Sequence, residues 1–237
     1  MEQCIRLDVS PPDSKTGNGR EQSVSIVSGE LTLEGTLVLA KKEKQPGLLL
    51  CHPHPLYGGS MDDSRILAIS KAAAAKGLNI LRFNYRGVGK SQGQFGQGIG
   101  EMQDTIAAME FLRNQSHIDS SRIALLGYSF GGSMALAAAM DANPAALVTL
   151  SAPIRSSEID SAIVTEGIRY VNCPVYIVHG RDDDSVHYVE AEGIYAQLQV
   201  KEKYLRLIKG ANHFWTRRLT FIIPMIIAFL TDKLGVK

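Results

Sequence analysis

The sequence predicts an α/β fold: one domain on a mostly parallel sheet, helices on both faces, with an antiparallel hairpin at its N-terminal side. Three observations predict it. From residue 47 onward, short continuous apolar runs alternate with segments of helical periodicity, the pattern of strands buried on both faces and joined by crossover helices. One of those runs, Ile123–Leu126, meets Gly127-Tyr128-Ser129-Phe130-Gly131 and passes into the Ala-rich segment Met134–Met140, a strand, a very tight turn and a helix. The 237 residues also suffice for one large core, and no repeat or linker divides them.

Taken in order, residues 1–22 form a lead-in and 23–237 the domain. Asp8–Arg20 is rich in Pro, Gly, Ser and Asn and predicts a mobile segment. Val24–Val27 and Leu31–Ala40 flank Ser28-Gly29-Glu30 as a hairpin, and Gly47–Cys51 is a buried strand. After the loop His52–Ser60, a helix over Asp62–Lys76 sets Ile66, Leu67, Ile69 and Ser70 near one face and ends at Gly77. Leu78–Phe83 is a strand, and the Gly-punctuated Arg86–Gly93 a structural turn, since it lacks dinucleotide spacing and no helix follows at once. Ile99–Gln115 has helical spacing. Arg122–Gly127, Ala145–Leu150, Val175–His179 and Tyr204–Ile208 are the remaining strands. His187–Val200 and Thr216–Leu234 are the later helices.

Bulk properties exclude several classes. Lys and Arg total 25 against 24 Asp and Glu, and no basic block exceeds two residues, so a nucleic-acid partner has no electrostatic footprint. The longest apolar run, Leu219–Leu230, contains Pro224 and is too short to span a bilayer. The N-terminal stretch has no apolar signal-peptide core, and Cys4, Cys51 and Cys173 have neither metal-site nor CxxC spacing. A soluble, cytoplasmic protein with free thiols is the expectation. No cofactor is implied. His52 and His54 lack a third ligand at useful spacing, so no metal site is expected. Oligomeric state is not set by any of these features.

The chemistry centres on Ser129. A serine hydroxyl needs a base and a group that orients the base, and in a parallel sheet these belong just beyond the carboxyl ends of strands. Two loops qualify: Gly180-Arg181-Asp182-Asp183-Asp184 after one strand, and Gly210-Ala211-Asn212-His213-Phe214-Trp215 after the next. The base is His213 and the acid one of Asp182–Asp184. The Phe130 N–H and the helix N-terminus behind it face a developing oxyanion. A second donor belongs to the loop His52–Gly59, where Pro53 and Pro55 have no N–H, leaving His54, Leu56 or Tyr57. Phe214 and Trp215 either wall the pocket or pack in the core. His179 reads as a hydrogen-bonded core residue.

These motifs resemble the α/β-hydrolase superfamily. Gly-Tyr-Ser-Phe-Gly-Gly, His-Gly-Arg-Asp-Asp-Asp-Ser-Val, Gly-Ala-Asn-His-Phe and Phe-Asn-Tyr-Arg-Gly-Val-Gly-Lys-Ser-Gln-Gly carry the likeness. Cys51-His52-Pro53-His54-Pro55-Leu56-Tyr57-Gly58-Gly59-Ser60-Met61 is similar to a small branch near dienelactone hydrolases and serine aminopeptidases. The resemblance implies the family's Gly-x-x-Asp-x-x-Val, which maps to Gly180, Asp183 and Val186 and so selects Asp183, with Asp182 its main rival. It also implies that the Tyr57 hydroxyl donates to the oxyanion, as a tyrosine does in the prolyl-oligopeptidase and cocaine-esterase branches; a packing role at the rim is the alternative. Where relatives insert a cap, only Ser151–Pro174 stands here, room for a loop and one short helix, so the pocket is expected to be open. The implied function is hydrolysis of a small-molecule acyl substrate, a carboxylic ester first, with a thioester or an aminopeptidase-like amide as the alternative. A non-catalytic binding protein of the same shape is a further alternative.

Overall fold

The computed structural model describes residues 20–236; the expected lead-in lies outside them up to residue 19. β1 (Arg20–Ser28) and β2 (Leu31–Leu39) form the antiparallel hairpin, longer at its start than the apolar signal indicated because Arg20–Ser23 is a polar edge pairing with Thr36–Leu39. Six strands then run parallel: β3 (Gln45–Cys51), β4 (Asn79–Phe83), β5 (Ile118–Tyr128), β6 (Ala146–Leu150), β7 (Val175–Gly180) and β8 (Lys203–Ile208). The order across the sheet is β1-β2-β4-β3-β5-β6-β7-β8, with β2 antiparallel to β4. β5 begins earlier than expected. Its first residues, Ile118 through Arg122, are largely polar, and one of them pairs with β3 across an irregularity between Gln45 and Gly47.

Two apolar layers fasten the helices to the sheet. α1 (Ser64–Ala75) and α6 (Leu219–Lys233) bury Ile66, Ile69, Ile222 and Ile226 against one face. α2 (Ile99–Arg113), α3 (Phe130–Ala142), α4 (Ser161–Tyr170) and α5 (Val189–Gln197) bury Met109, Leu136, Val164 and Ile194 against the other. α1 starts at Ser64, not Asp62, because the Asp63 carboxylate caps it by accepting the Arg65 N–H at 2.9 Å. The stretch 151–174 contains a ten-residue helix, α4, and a loop. The Arg86–Gly93 turn is structural: Arg86 clasps the buried Asp104 at 2.7 and 3.0 Å. No helix among the described residues is long and apolar enough to cross a membrane.

Candidate active site

β5, near the centre of the sheet, delivers Ser129. After Tyr128 the chain turns into α3 with Ser129 at φ 52°, a left-handed conformation that costs a non-glycine residue about 1–2 kcal/mol. The turn holds because its neighbours lack side chains. A Cβ on Gly127 would meet the Gly131 carbonyl oxygen at 2.0 Å, and one on Gly131 would meet the Cys51 oxygen at 2.3 Å. The second contact seats the elbow directly against the end of β3. The Ser129 N–H is fixed to the Leu150 carbonyl at 2.8 Å, tying the turn to β6.

The loops after β7 and β8 bring the other two residues to Ser129. Ser129 Oγ lies 3.0 Å from His213 Nε2, and His213 Nδ1 lies 2.9 Å from Asp183 Oδ2. Because a carboxylate only accepts, Nδ1 carries the proton and Nε2 is free to accept from the serine. The carboxylate in reach of His213 is that of Asp183; Asp182 instead accepts the Gly210 N–H at 2.7 Å. Asp183 Oδ1 takes the N–H groups of Ser185 and Val186 at 3.0 and 2.8 Å. Burial drives the Asp183 carboxyl towards protonation, but hydrogen bonds from His179, His213 and the Val186 amide outweigh it and hold the group well below the usual carboxylate range. His179, fully buried, donates from Nε2 to the Val186 carbonyl at 2.8 Å and stands 3.4 Å from Asp183 Oδ2.

The opposite wall is the loop after β3. A single 3-10 turn, Pro55–Tyr57, is organised by His54: its Nδ1 accepts the Leu56 N–H at 3.2 Å, and its carbonyl accepts from Tyr57 and Gly59 at 3.1 and 3.0 Å. Leu56 and Tyr57 therefore have their amides committed, and the Tyr57 hydroxyl donates to Glu158, leaving Tyr57 largely exposed on the rim. The N–H groups of His54 and Phe130 have no acceptor among the described residues. The two residues are neighbours, with ring centroids 4.7 Å apart. His52 turns away from this loop's mouth: Nδ1 donates to the Pro53 carbonyl at 2.6 Å and Nε2 accepts the Tyr85 N–H at 3.1 Å. Burial lowers its pKa to about 4, so it is neutral near pH 7. Among the described residues no group of three or more metal-ligating side chains assembles.

Between the walls lies a cleft of about 530 Å³ lined by His54, Tyr57, Ser129, Phe130, His213 and Phe214 among others. Phe214, 59% exposed, is a wall of it, whereas Trp215 is 1% exposed and donates to Ser151 Oγ at 3.1 Å, a core residue. Several contributors were assigned no role by the sequence. Tyr128 donates its hydroxyl to the His213 carbonyl at 3.0 Å and so positions the histidine loop, and Arg65 lies 4.9 Å over its ring. Glu158 and Arg155 come from the loop between β6 and α4, held by Glu190, whose carboxylate accepts the Ile154 N–H at 2.9 Å. Tyr128 adjoins Ser129 in sequence and was findable there; Glu158 and Arg155 sit in a polar loop with no repeating pattern.

A mostly parallel sheet of this order, with a strand–turn–helix elbow at its centre, is the α/β-hydrolase fold. The chain belongs to the X-Pro dipeptidyl-peptidase (S15) family, whose model matches residues 32–168, more than half of its length. An uncharacterized protein of Rickettsia prowazekii is 30% identical over 193 residues, 77% of each chain. An alpha-beta serine hydrolase homologue from Coxiella burnetii, 29% identical, superposes with a TM-score of 0.76 over 92% of this chain and 100% of that one. A serine hydrolase without lid from Xanthomonas campestris, at 24% identity, shares the fold with a TM-score of 0.73 over 94% and 97%. These relationships place the chain among the serine hydrolases.

Proposed function

We propose that the chain cleaves carboxylic esters of small or medium size through a Ser129–His213–Asp183 triad and an acyl-enzyme. The observation that carries the reading is the continuous hydrogen-bonded path from Ser129 Oγ to the Asp183 carboxylate on the floor of an open cleft, beside two uncommitted amides. Ser129 Oγ attacks the acyl carbon while His213 Nε2 takes its proton, and the imidazolium is stabilised by Asp183. The oxyanion is held by the N–H groups of Phe130 and His54, and His213 returns the proton to the leaving oxygen. Water then repeats the sequence and frees the acid and Ser129. The roles of Leu56 and of the Tyr57 hydroxyl as donors are set aside, since both are spent on intramolecular acceptors.

A second reading, hydrolysis of a peptide-like amide, is favoured by the description of the family as X-Pro dipeptidyl-peptidase. Initial rates on p-nitrophenyl esters of rising chain length, beside aminoacyl and Xaa-Pro p-nitroanilides, separate the two. Ester turnover with kcat/KM at least about 100-fold above that for anilides supports the first reading. The reverse ranking replaces it with the second, and turnover of neither class, in protein shown to be folded, favours a binding protein.

A further inference from the structure

Glu158 reaches from the loop between β6 and α4 to the opposite wall of the cleft and touches it twice. One carboxylate oxygen accepts the Tyr57 hydroxyl; the other lies 3.2 Å from His54 Nε2. Both contacts fall on the 3-10 turn and its N-cap, and that cap residue, His54, offers an uncommitted amide. The turn depends on the state of the His54 ring. Nδ1 accepts the Leu56 N–H only while it is unprotonated, which puts the ring proton of the neutral imidazole on Nε2, 3.2 Å from a Glu158 oxygen though outside hydrogen-bond geometry, so that the carboxylate acts on it by charge. A carboxylate at that point favours this tautomer over the other, in which Nδ1–H would oppose the Leu56 N–H donor and break the cap. The ring is otherwise enclosed by aromatic groups, Phe130, Tyr57 and Phe95, at centroid distances of 4.7 to 5.1 Å, and Glu158 is the carboxylate that meets it.

We infer that Glu158 is a positioning residue: it selects the Nε2–H tautomer of His54, pins the far end of the turn through Tyr57, and thereby keeps the His54 amide aimed at the oxyanion. The consequence for turnover rests on the acyl-transfer reading above; the tautomer selection does not. The charged groups bearing on the His54 ring are Glu158 on the facing loop and, when protonated, His52 on its own. Burial disfavours the charged form of His54 and Glu158 opposes that effect, so loss of Glu158 leaves the ring neutral and the Leu56 N–H alone to hold the tautomer.

The test compares the full chain with Glu158→Ala and Glu158→Gln by ring 15N chemical shifts of His54 and by steady-state kinetics on p-nitrophenyl butyrate. The expected results are an Nε2–H ring in the native chain and a mixture of tautomers in Glu158→Ala, with kcat about 10- to 100-fold lower and KM within about twofold. Glu158→Gln retains an acceptor oxygen and recovers kcat to within about fivefold of native. If Glu158→Ala does not fold, Glu158→Asp, one methylene too short to reach both partners, takes its place. Native kcat in the truncated variant overturns the inference, as does a lowered kcat with the His54 tautomer unchanged. If the native chain turns over no ester, the acyl-transfer reading fails, and the 15N comparison alone decides the role of Glu158.

Discussion

The two walls of the cleft are built by opposite means. The wall bearing Ser129 is a backbone construction: β5 runs into α3 through a turn that exists because carbonyls occupy the space where side chains at Gly127 and Gly131 would stand. The facing wall, residues 52–59, is a side-chain construction. Two prolines deprive it of donors, and the His54 ring, the His54 carbonyl and Glu158 hold what remains. The first wall is indifferent to protonation and intolerant of added atoms. The second is as tight at Gly59, where a Cβ would meet the Pro53 oxygen at 2.1 Å, has open space at Gly58, and depends also on which ring nitrogen of His54 carries a proton. A rigid elbow thus faces a wall that is set chemically.

The sharpest break falls on the proposed partners of Ser129. Asp183→Asn keeps the shape but loses the charge that orients His213, and turnover falls about 10⁴-fold, while Asp182→Asn and Asp184→Asn stay within about threefold. Steady-state kinetics on one ester ranks them, and any other order removes Asp183 from its role. Next come the glycines. Gly131→Ala forces a Cβ to 2.3 Å from the Cys51 oxygen and costs on the order of 3–5 kcal/mol. Gly58→Ala in the facing wall has open space and only φ 77° to bear, about 1 kcal/mol. Urea melts giving equal losses would abolish the contrast between these two positions.

A third expectation concerns pH. His52 is buried and neutral, with its pKa lowered from 6.5 to about 4 by desolvation. A lowered histidine contributes stability in full above pH 6.5, and that contribution fades as pH falls towards 4, because the unfolded chain takes up the proton first; the total is about 3 kcal/mol. Asp183 does not contribute to this window. Its folded pKa lies below the ordinary 3.8, so its share is lost only in stronger acid. Denaturant melts at pH 7.5 and 4.5 should therefore differ, and the difference should shrink in His52→Gln. The smallest effect is that of Tyr57→Phe. With its hydroxyl given to Glu158, its loss lowers kcat by only about two- to fivefold. A fall of 100-fold or more would return Tyr57 to the oxyanion.

The contrast between the walls also explains what the sequence made legible. The strand and helix order was readable because parallel strands buried on both faces are continuous apolar runs, and the glycines of the elbow mark a backbone need. Ser129, His213 and Asp183 each follow a strand end, so position in the fold pointed to them before any contact was known. The polar start of β5, at Asp119-Ser120-Ser121, escaped because it lies beyond the core and carries no apolar signal. Glu158 escaped for a different reason. Its partners are 101 and 104 residues away, across the cleft, and nothing in a loop's composition tells which wall a carboxylate will reach. Trp215 and Phe214, adjacent in sequence, part company for the same cause: left-handed backbone at Trp215 sends one inward and leaves the other on the rim.

The central claim is that Ser129 is a nucleophile activated by His213. It is tested most directly by treating the folded protein with a fluorophosphonate probe and mapping the adduct by peptide mass spectrometry. The account predicts one adduct per chain, on Ser129, forming in step with the loss of ester turnover and slowed about 10³-fold or more in His213→Ala. An adduct on another residue, or unmodified Ser129 in protein that still hydrolyses esters, would contradict it.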